Sequence, residues 1–176
     1  MTVKQSYIIN VRTELPVHLP AIWRFSLSLT GNPDAADELT QATSLRVLEK
    51  AHQYKHDGSF VGWCITICRS IWLNELRSIA VRRAGSLDSV KPEELIDCTP
   101  DVEMNIFASE VFTEIMGLPE AQRSTVELVF VQEFTYSEAA EILDVPIGTI
   151  MSRLSTARKA LRHLNNADAE IKMRHQ

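Results

Sequence analysis

The residues with the most evident chemistry lie near the C-terminus. Val145 to Ala167 reads VPIGTIMSRLSTARKALRHLNNA and holds Arg153, Arg158, Lys159 and Arg162 without one Asp or Glu, in a chain of formal net charge -5. Guanidinium and ammonium groups neutralise phosphates, and a carboxylate on the same surface would cost affinity, so this composition suits contact with nucleic acid. A second chemistry is conceivable upstream, where His52 and His56 stand four apart, as do Cys64 and Cys68. Residues at i and i+4 share a helical face and could hold a metal ion. Yet His-x3-His before Cys-x3-Cys is not a usual zinc spacing, and Cys64 and Cys68 stand among Ile65 and Ile67, where cysteine behaves as a small hydrophobe. Packed thiols are therefore expected, with no metal and no cofactor. The sequence has no Gly-rich phosphate loop, Gly-x-Ser-x-Gly elbow or His-Glu-x-x-His motif, so no enzyme is expected.

The elements that must carry these residues read as helices. Composition, 45% hydrophobic and 23% charged, is that of a globular chain able to bury a core. Its longest apolar runs, such as VELVFV at 126–131, are too short for a membrane span, so no membrane insertion is expected. The N-terminus lacks a continuous apolar stretch of signal-peptide type, and three cysteines, an odd number, argue for reduced thiols; a cytoplasmic location is expected.

Leu19, Ile22, Trp23, Ser26 and Leu27 to Leu29 recur at helical spacing until GNP at 31–33. Asn32 then offers an N-cap with Pro33 at the first helical position and Asp34, Asp37 and Glu38 in the opening turns. The apolar face of that helix is Ala36, Leu39, Thr43 and Val47 with Leu48, and it is expected to run to about Ala51. A loop at 52–59 precedes a third helix carrying Phe60, Trp63, Ile67, Ile71, Leu76 and Ile79. GSLDSVKPEELIDCTP at 85–100 loses the periodicity and reads as a linker. Beyond it, a helix is expected from about Val102 to Met116, a break at GLPEAQ, a helix through RSTVELVFVQE, and a break at Phe134 and Thr135. The fold class is all-α, two small helical domains joined by a linker: 1–84, 85–101 and 102–176.

The last segment follows helix-turn-helix grammar. A short helix with Ala139, Ala140, Ile142 and Leu143, capped near Ser137 and Glu138, meets the turn Asp144-Val145-Pro146, and a second helix starts at Ile147 or Gly148. Ile150, Leu154, Ala157 and Leu161 mark its buried stripe, which leaves Ser152, Arg153, Ser155, Thr156, Lys159 and Arg162 on other faces. Recognition helices of this kind touch base edges with N-terminal residues and phosphates with flanking ones. Residues 101–145 carry ten acids and one base, Arg123, whereas 146–176 carry six bases and two acids. The opposite signs suggest that the acidic stretch covers the basic helix in the free protein.

These motifs resemble the extracytoplasmic-function sigma factors of bacterial RNA polymerase over nearly the whole chain. LTGNPDAADELTQATSLRVLEKA is similar to the part of region 2 that docks on the polymerase clamp, and SFVGWCITICRSIWLNELRS to its promoter-melting helix. LPEAQRSTVELVFVQEFTYSEAAEILDVPIGTIMSRLSTARKALRHL resembles region 4. The resemblance implies that Glu38, Gln41, Leu45 and Arg46 contact core RNA polymerase at the coiled coil of its largest subunit, with the flap as a further contact. It implies that Arg69, Ser70, Asn74 and Arg77 hold an unstacked minus-10 base. Phe60, Trp63 and Trp72 are candidates for apolar support there, or for core packing. It further implies that Thr149, Ser152, Arg153, Ser155, Thr156, Arg158 and Lys159 read the minus-35 promoter DNA in the major groove and hold its phosphates. An anti-sigma factor is the expected regulator. Ser70 departs from the family's asparagine and Asn74 from an acid, which bears on minus-10 base preference; Met151 departs from lysine, which removes a phosphate or base contact, and Ala42 departs from an acid in the clamp helix. Two alternatives stand beside this reading: a sigma-like decoy that binds an anti-sigma factor without initiating transcription, and a dimeric helix-turn-helix regulator.

Overall fold

The computed structural model describes residues 3–55, 58–85 and 106–162, and every regular element among them is helical. The chain divides into two compact units, 1–96 and 97–176.

The first unit packs three helices, α1 (Val3–Thr30), α2 (Pro33–Glu49) and α3 (Phe60–Gly85). Helix α1 begins well before its apolar repeat and runs through Pro16 and Pro20. Each proline lacks an N–H and forgoes one backbone bond; both lie on the exposed side of the helix. Gly31 ends α1 with a left-handed φ of 70°, a conformation glycine adopts without steric cost, and its N–H donates to the Leu27 carbonyl at 2.9 Å. Asn32 caps α2 as expected, its Oδ1 accepting from the Ala35 N–H at 3.0 Å. Ala36, Leu39, Thr43 and Val47 are buried, but Leu48 is 39% exposed, and α2 stops at Glu49 before a separate 3-10 turn, Ala51–Gln53. The core joins Val11, Leu15 and Ile22 of α1 to Val47, Phe60 and Cys64, each large side chain worth about 1.5–3 kcal/mol of burial. Polar ties cross it. Trp23 Nε1 donates to Asp37 Oδ1 at 2.6 Å. Thr40 Oγ1 donates to Ser26 Oγ at 3.1 Å, and Ser26 Oγ lies 3.3 Å from Cys68 Sγ, which links α2, α1 and α3.

The second unit holds α4 (Ile106–Met116), α5 (Glu120–Val126), α6 (Tyr136–Leu143) and α7 (Ile147–Ala160). The expected start of α4 at Val102 and most of the expected linker fall outside the described residues. Only Gly117 to Pro119 separates α4 from α5, so the expected break is shorter and α5 starts earlier than the periodicity suggested. Pro119 stands at the N-cap, and Glu120 in the first turn complements the helix dipole. The helix then widens to a π-helical segment, Glu127–Val131, so that it does not continue regularly to Glu133. Arg123, the sole base of 101–145, is buried, and its Nη1 donates to the carbonyls of Met116 at 3.0 Å and Leu118 at 3.2 Å. The guanidinium thus satisfies acceptors left open where α4 ends.

Candidate nucleic-acid interface

Helix α6 is positioned by Thr135, not by the Ser137 that the sequence suggested. Thr135 Oγ1 accepts from the Glu138 N–H at 3.2 Å, and the Glu138 carboxylate accepts from the Thr135 N–H at 2.8 Å, a reciprocal capping box. Hydrogen bonds from the Thr135 hydroxyl and then its backbone hold the Glu138 carboxyl below its ordinary range. Ala139, Ala140, Ile142 and Leu143 are buried, and Asp144 closes α6 in the left-handed conformation with φ 46° and ψ 54°. The Val145 N–H returns to the Ala140 carbonyl at 3.0 Å, which turns the chain into α7 at Ile147.

In α7 the stripe Ile150, Leu154 and Ala157 is buried and Leu161, at its end, is half-buried. At about 100° per residue, Ser152, Ser155, Thr156 and Lys159 cluster on the side opposite this stripe, and all four are exposed. Thr149 and Arg153, partly buried, lie on one flank. Arg158 is on the other flank: its Nη2 donates to the Tyr136 hydroxyl at 3.3 Å and its Cζ lies 6.0 Å from the Phe130 ring centroid. The seven residues expected on the minus-35 surface therefore share one helix but not one face. Phe130 and Tyr136 escaped sequence reasoning because their link to Arg158 is tertiary, with no local spacing to announce it. Among the described residues, no ion pair joins a carboxylate of the acidic stretch to Arg153, Arg158, Lys159 or Arg162.

On α3, Ser70, Asn74 and Arg77 recur at helical spacing on one exposed face, and Arg77 Nη1 donates to Asn74 Oδ1 at 2.8 Å. Arg69 lies about 100° round the helix from Ser70 and is partly buried, so it is set apart from the other three. Trp63 packs at 5.1 Å from the Tyr54 ring and 6.0 Å from Phe60, as part of an aromatic cluster bordering the core. Trp72 Nε1 is buried without a hydrogen-bond partner.

On α2, Glu38, Gln41 and Leu45 share the outward face, where Leu45 is 61% exposed. Leu48, one turn on, joins them; its i, i+3 spacing from Leu45 was the signal that could have found it. Arg46 turns aside to Glu49, 3.2 Å away. Cys64 and Cys68 are buried, and desolvation pushes the Cys64 thiol up to about 12 and raises Cys68 as well. Protonated thiols are poor ligands and nucleophiles at neutral pH. The described residues contain no group of three His, Cys, Asp or Glu able to hold a metal ion, and no helix among them is long and apolar enough to cross a membrane.

A capped helix-turn-helix with hydroxyls and bases along its second helix defines a DNA-binding protein. Residues 17–82 match the Sigma-70 region 2 family and residues 110–161 the Sigma-70 region 4 family. The chain is 30% identical to the ECF RNA polymerase sigma factor EcfG of Rhodopseudomonas palustris, over 90% of this chain and 87% of that protein. It is 32% identical to the probable RNA polymerase sigma-C factor of Mycobacterium bovis, over 85% and 77% of the two chains. Among solved structures it resembles the sigma factor RpoE of Bartonella quintana, in complex with the anti-sigma factor NepR. The TM-score is 0.69 at 27% identity, covering 90% of this chain and 98% of the other. The chain belongs to the extracytoplasmic-function (ECF) family of RNA polymerase sigma factors. Core RNA polymerase and promoter DNA are accordingly its partners.

Proposed function

We propose that this sigma factor directs core polymerase to a signal-responsive set of promoters, is held inactive by an anti-sigma factor, and works in the cytoplasm. The reading assigns 1–84 to region 2, 85–101 to the linker and 102–176 to region 4. Glu38, Gln41, Leu45 and Arg46 of α2 meet the clamp coiled coil. The Ser70, Asn74 and Arg77 face of α3, with Arg69 beside it, holds the opened minus-10 strand, and α7 lies in the major groove of the minus-35 element. The protein adds no catalytic group of its own; it places the polymerase. One observation carries this reading: a single chain presents both an exposed α2 and α3 surface and a helix-turn-helix whose second helix offers hydroxyls and cations but no acid. The Bartonella relative bound to NepR supports the anti-sigma partner.

Runoff transcription on a promoter library, using purified core polymerase with and without this protein, tests it. Transcripts sharing two spaced upstream elements are expected only when the protein is added. The departures at Ser70 and Met151 favour one other outcome, a sigma-like decoy. That reading prevails if the chain binds core polymerase or an anti-sigma factor stably yet yields no transcript.

A further inference from the structure

The N-terminal half of α7 contains two exposed apolar side chains, Ile147 at 46% and Met151 at 51%. They stand one turn apart on the flank of the helix that also carries Arg158 further on. Both are on a surface that a water-facing helix fills with polar residues, and neither packs into the stripe of Ile150, Leu154 and Ala157. Arg158 is drawn back over Phe130 and onto the Tyr136 hydroxyl, so the outward reach of this flank near the helix start belongs to Met151.

The base-reading inventory of these turns is unusual. Bidentate recognition of guanine takes Arg or Lys and of adenine takes Asn or Gln. Residues 147–152 supply none of these: they are Ile147, Gly148, Thr149, Ile150, Met151 and Ser152. Arg153, the first base, is partly buried on the opposite flank. An apolar side chain can still distinguish one base pair in the major groove, because thymine alone presents a methyl group there. Methionine suits the task, being unbranched and polarizable and therefore able to follow the shape it meets.

We propose that Met151 is a specificity-determining residue whose thioether packs against the 5-methyl group of a thymine in the minus-35 element, with Ile147 flanking the same contact. This rests on the placement of α7 in the minus-35 major groove. The contact is distinct from the hydroxyls and cations already assigned there: it reads a base without a hydrogen bond, and it makes one position of the promoter sensitive to a single methyl group.

The test uses holoenzyme assembled from core polymerase and the full chain, on the promoter recovered by runoff selection. Each minus-35 thymine on either strand is replaced in turn by deoxyuridine, which removes only the methyl group. Wild type is expected to lose about four-fold in promoter affinity at one such position, the equivalent of one buried CH2. Met151→Ala should show no loss there, and Met151→Leu, which keeps an apolar body, should restore it. Uracil tolerated at every position by wild type would overturn the proposal, as would an equal loss with Met151→Ala or a selected minus-35 element without thymine. If Met151→Ala instead weakens assembly with core polymerase and leaves base preference alone, the flank is a protein surface and the proposal fails. Absence of any promoter-dependent transcript would sink the underlying sigma reading and this proposal with it, a result distinct from faithful transcription that ignores the methyl group.

Discussion

Arg123 shows how one residue can be decided by accounting for polar groups rather than by charge. Amid ten acids it looks like a stray surface base, yet it is buried and donates to the carbonyls of Met116 and Leu118. Burying a guanidinium costs solvation energy, and that cost is offset only while its hydrogen bonds are made. Arg123→Met keeps much of the side-chain volume and leaves those carbonyls without this donor, a loss of about 1–3 kcal/mol. In a unit of this size that lowers the melting temperature of region 4 by several degrees, readable by circular dichroism, while Arg123→Lys retains part of the loss-free state through one ammonium donor. Equal melting of the Met variant and wild type would remove Arg123 from this role. Thr135 and Glu138 follow the same logic on the surface, where the Thr-x-x-Glu spacing closes a capping box.

At the scale of elements, the helix-turn-helix depends on a turn that side chains rarely favour. Asp144 occupies the left-handed region, and its N–H and that of Val145 return to the carbonyls of Glu141 and Ala140. A short polar side chain tolerates this conformation; a β-branched one clashes with its own backbone at a cost of about 1–2 kcal/mol. Asp144→Val should therefore lower the melting temperature and weaken promoter binding, whereas Asp144→Gly should not; identical thermal curves for the two variants would contradict the turn's role. Much of this element was legible: the spacing of Ile150, Leu154 and Ala157 encodes a buried stripe, and Asn32 followed by Pro33 encodes a helix start. What escaped has a physical reason in each case. Pro16 and Pro20 concealed the length of α1, because their local penalty is overridden by the packing of Val11, Leu15 and Ile22. The π-helical turn at 127–131 carries no period of its own in the sequence. The tether of Arg158 to Phe130 and Tyr136 arises only once α7 has docked. The candidate site residues came from family resemblance, and their separation onto different flanks of α3 and α7 became visible only in three dimensions.

For the whole molecule, the net charge of -5 conceals a local excess of acid over 101–145 and of base over 146–176. If α7 enters the minus-35 groove as proposed, its few cations act against an acidic background, so each phosphate contact should count separately in the salt dependence of binding. Lys159 is the clearest case, exposed on the side of α7 away from the buried stripe and joined to no carboxylate among the described residues. If it neutralises one phosphate, its removal releases one fewer counterion on binding and carries no base information. With preformed holoenzyme, Lys159→Ala should flatten the plot of log affinity against log salt by about 0.9. It should weaken all minus-35 sequences alike, leaving their ranking intact. An unchanged salt slope would place Lys159 off the DNA. An altered ranking would make it a reader of bases and would move the division between phosphate and base contacts further along α7 than the geometry of its N-terminal half implies.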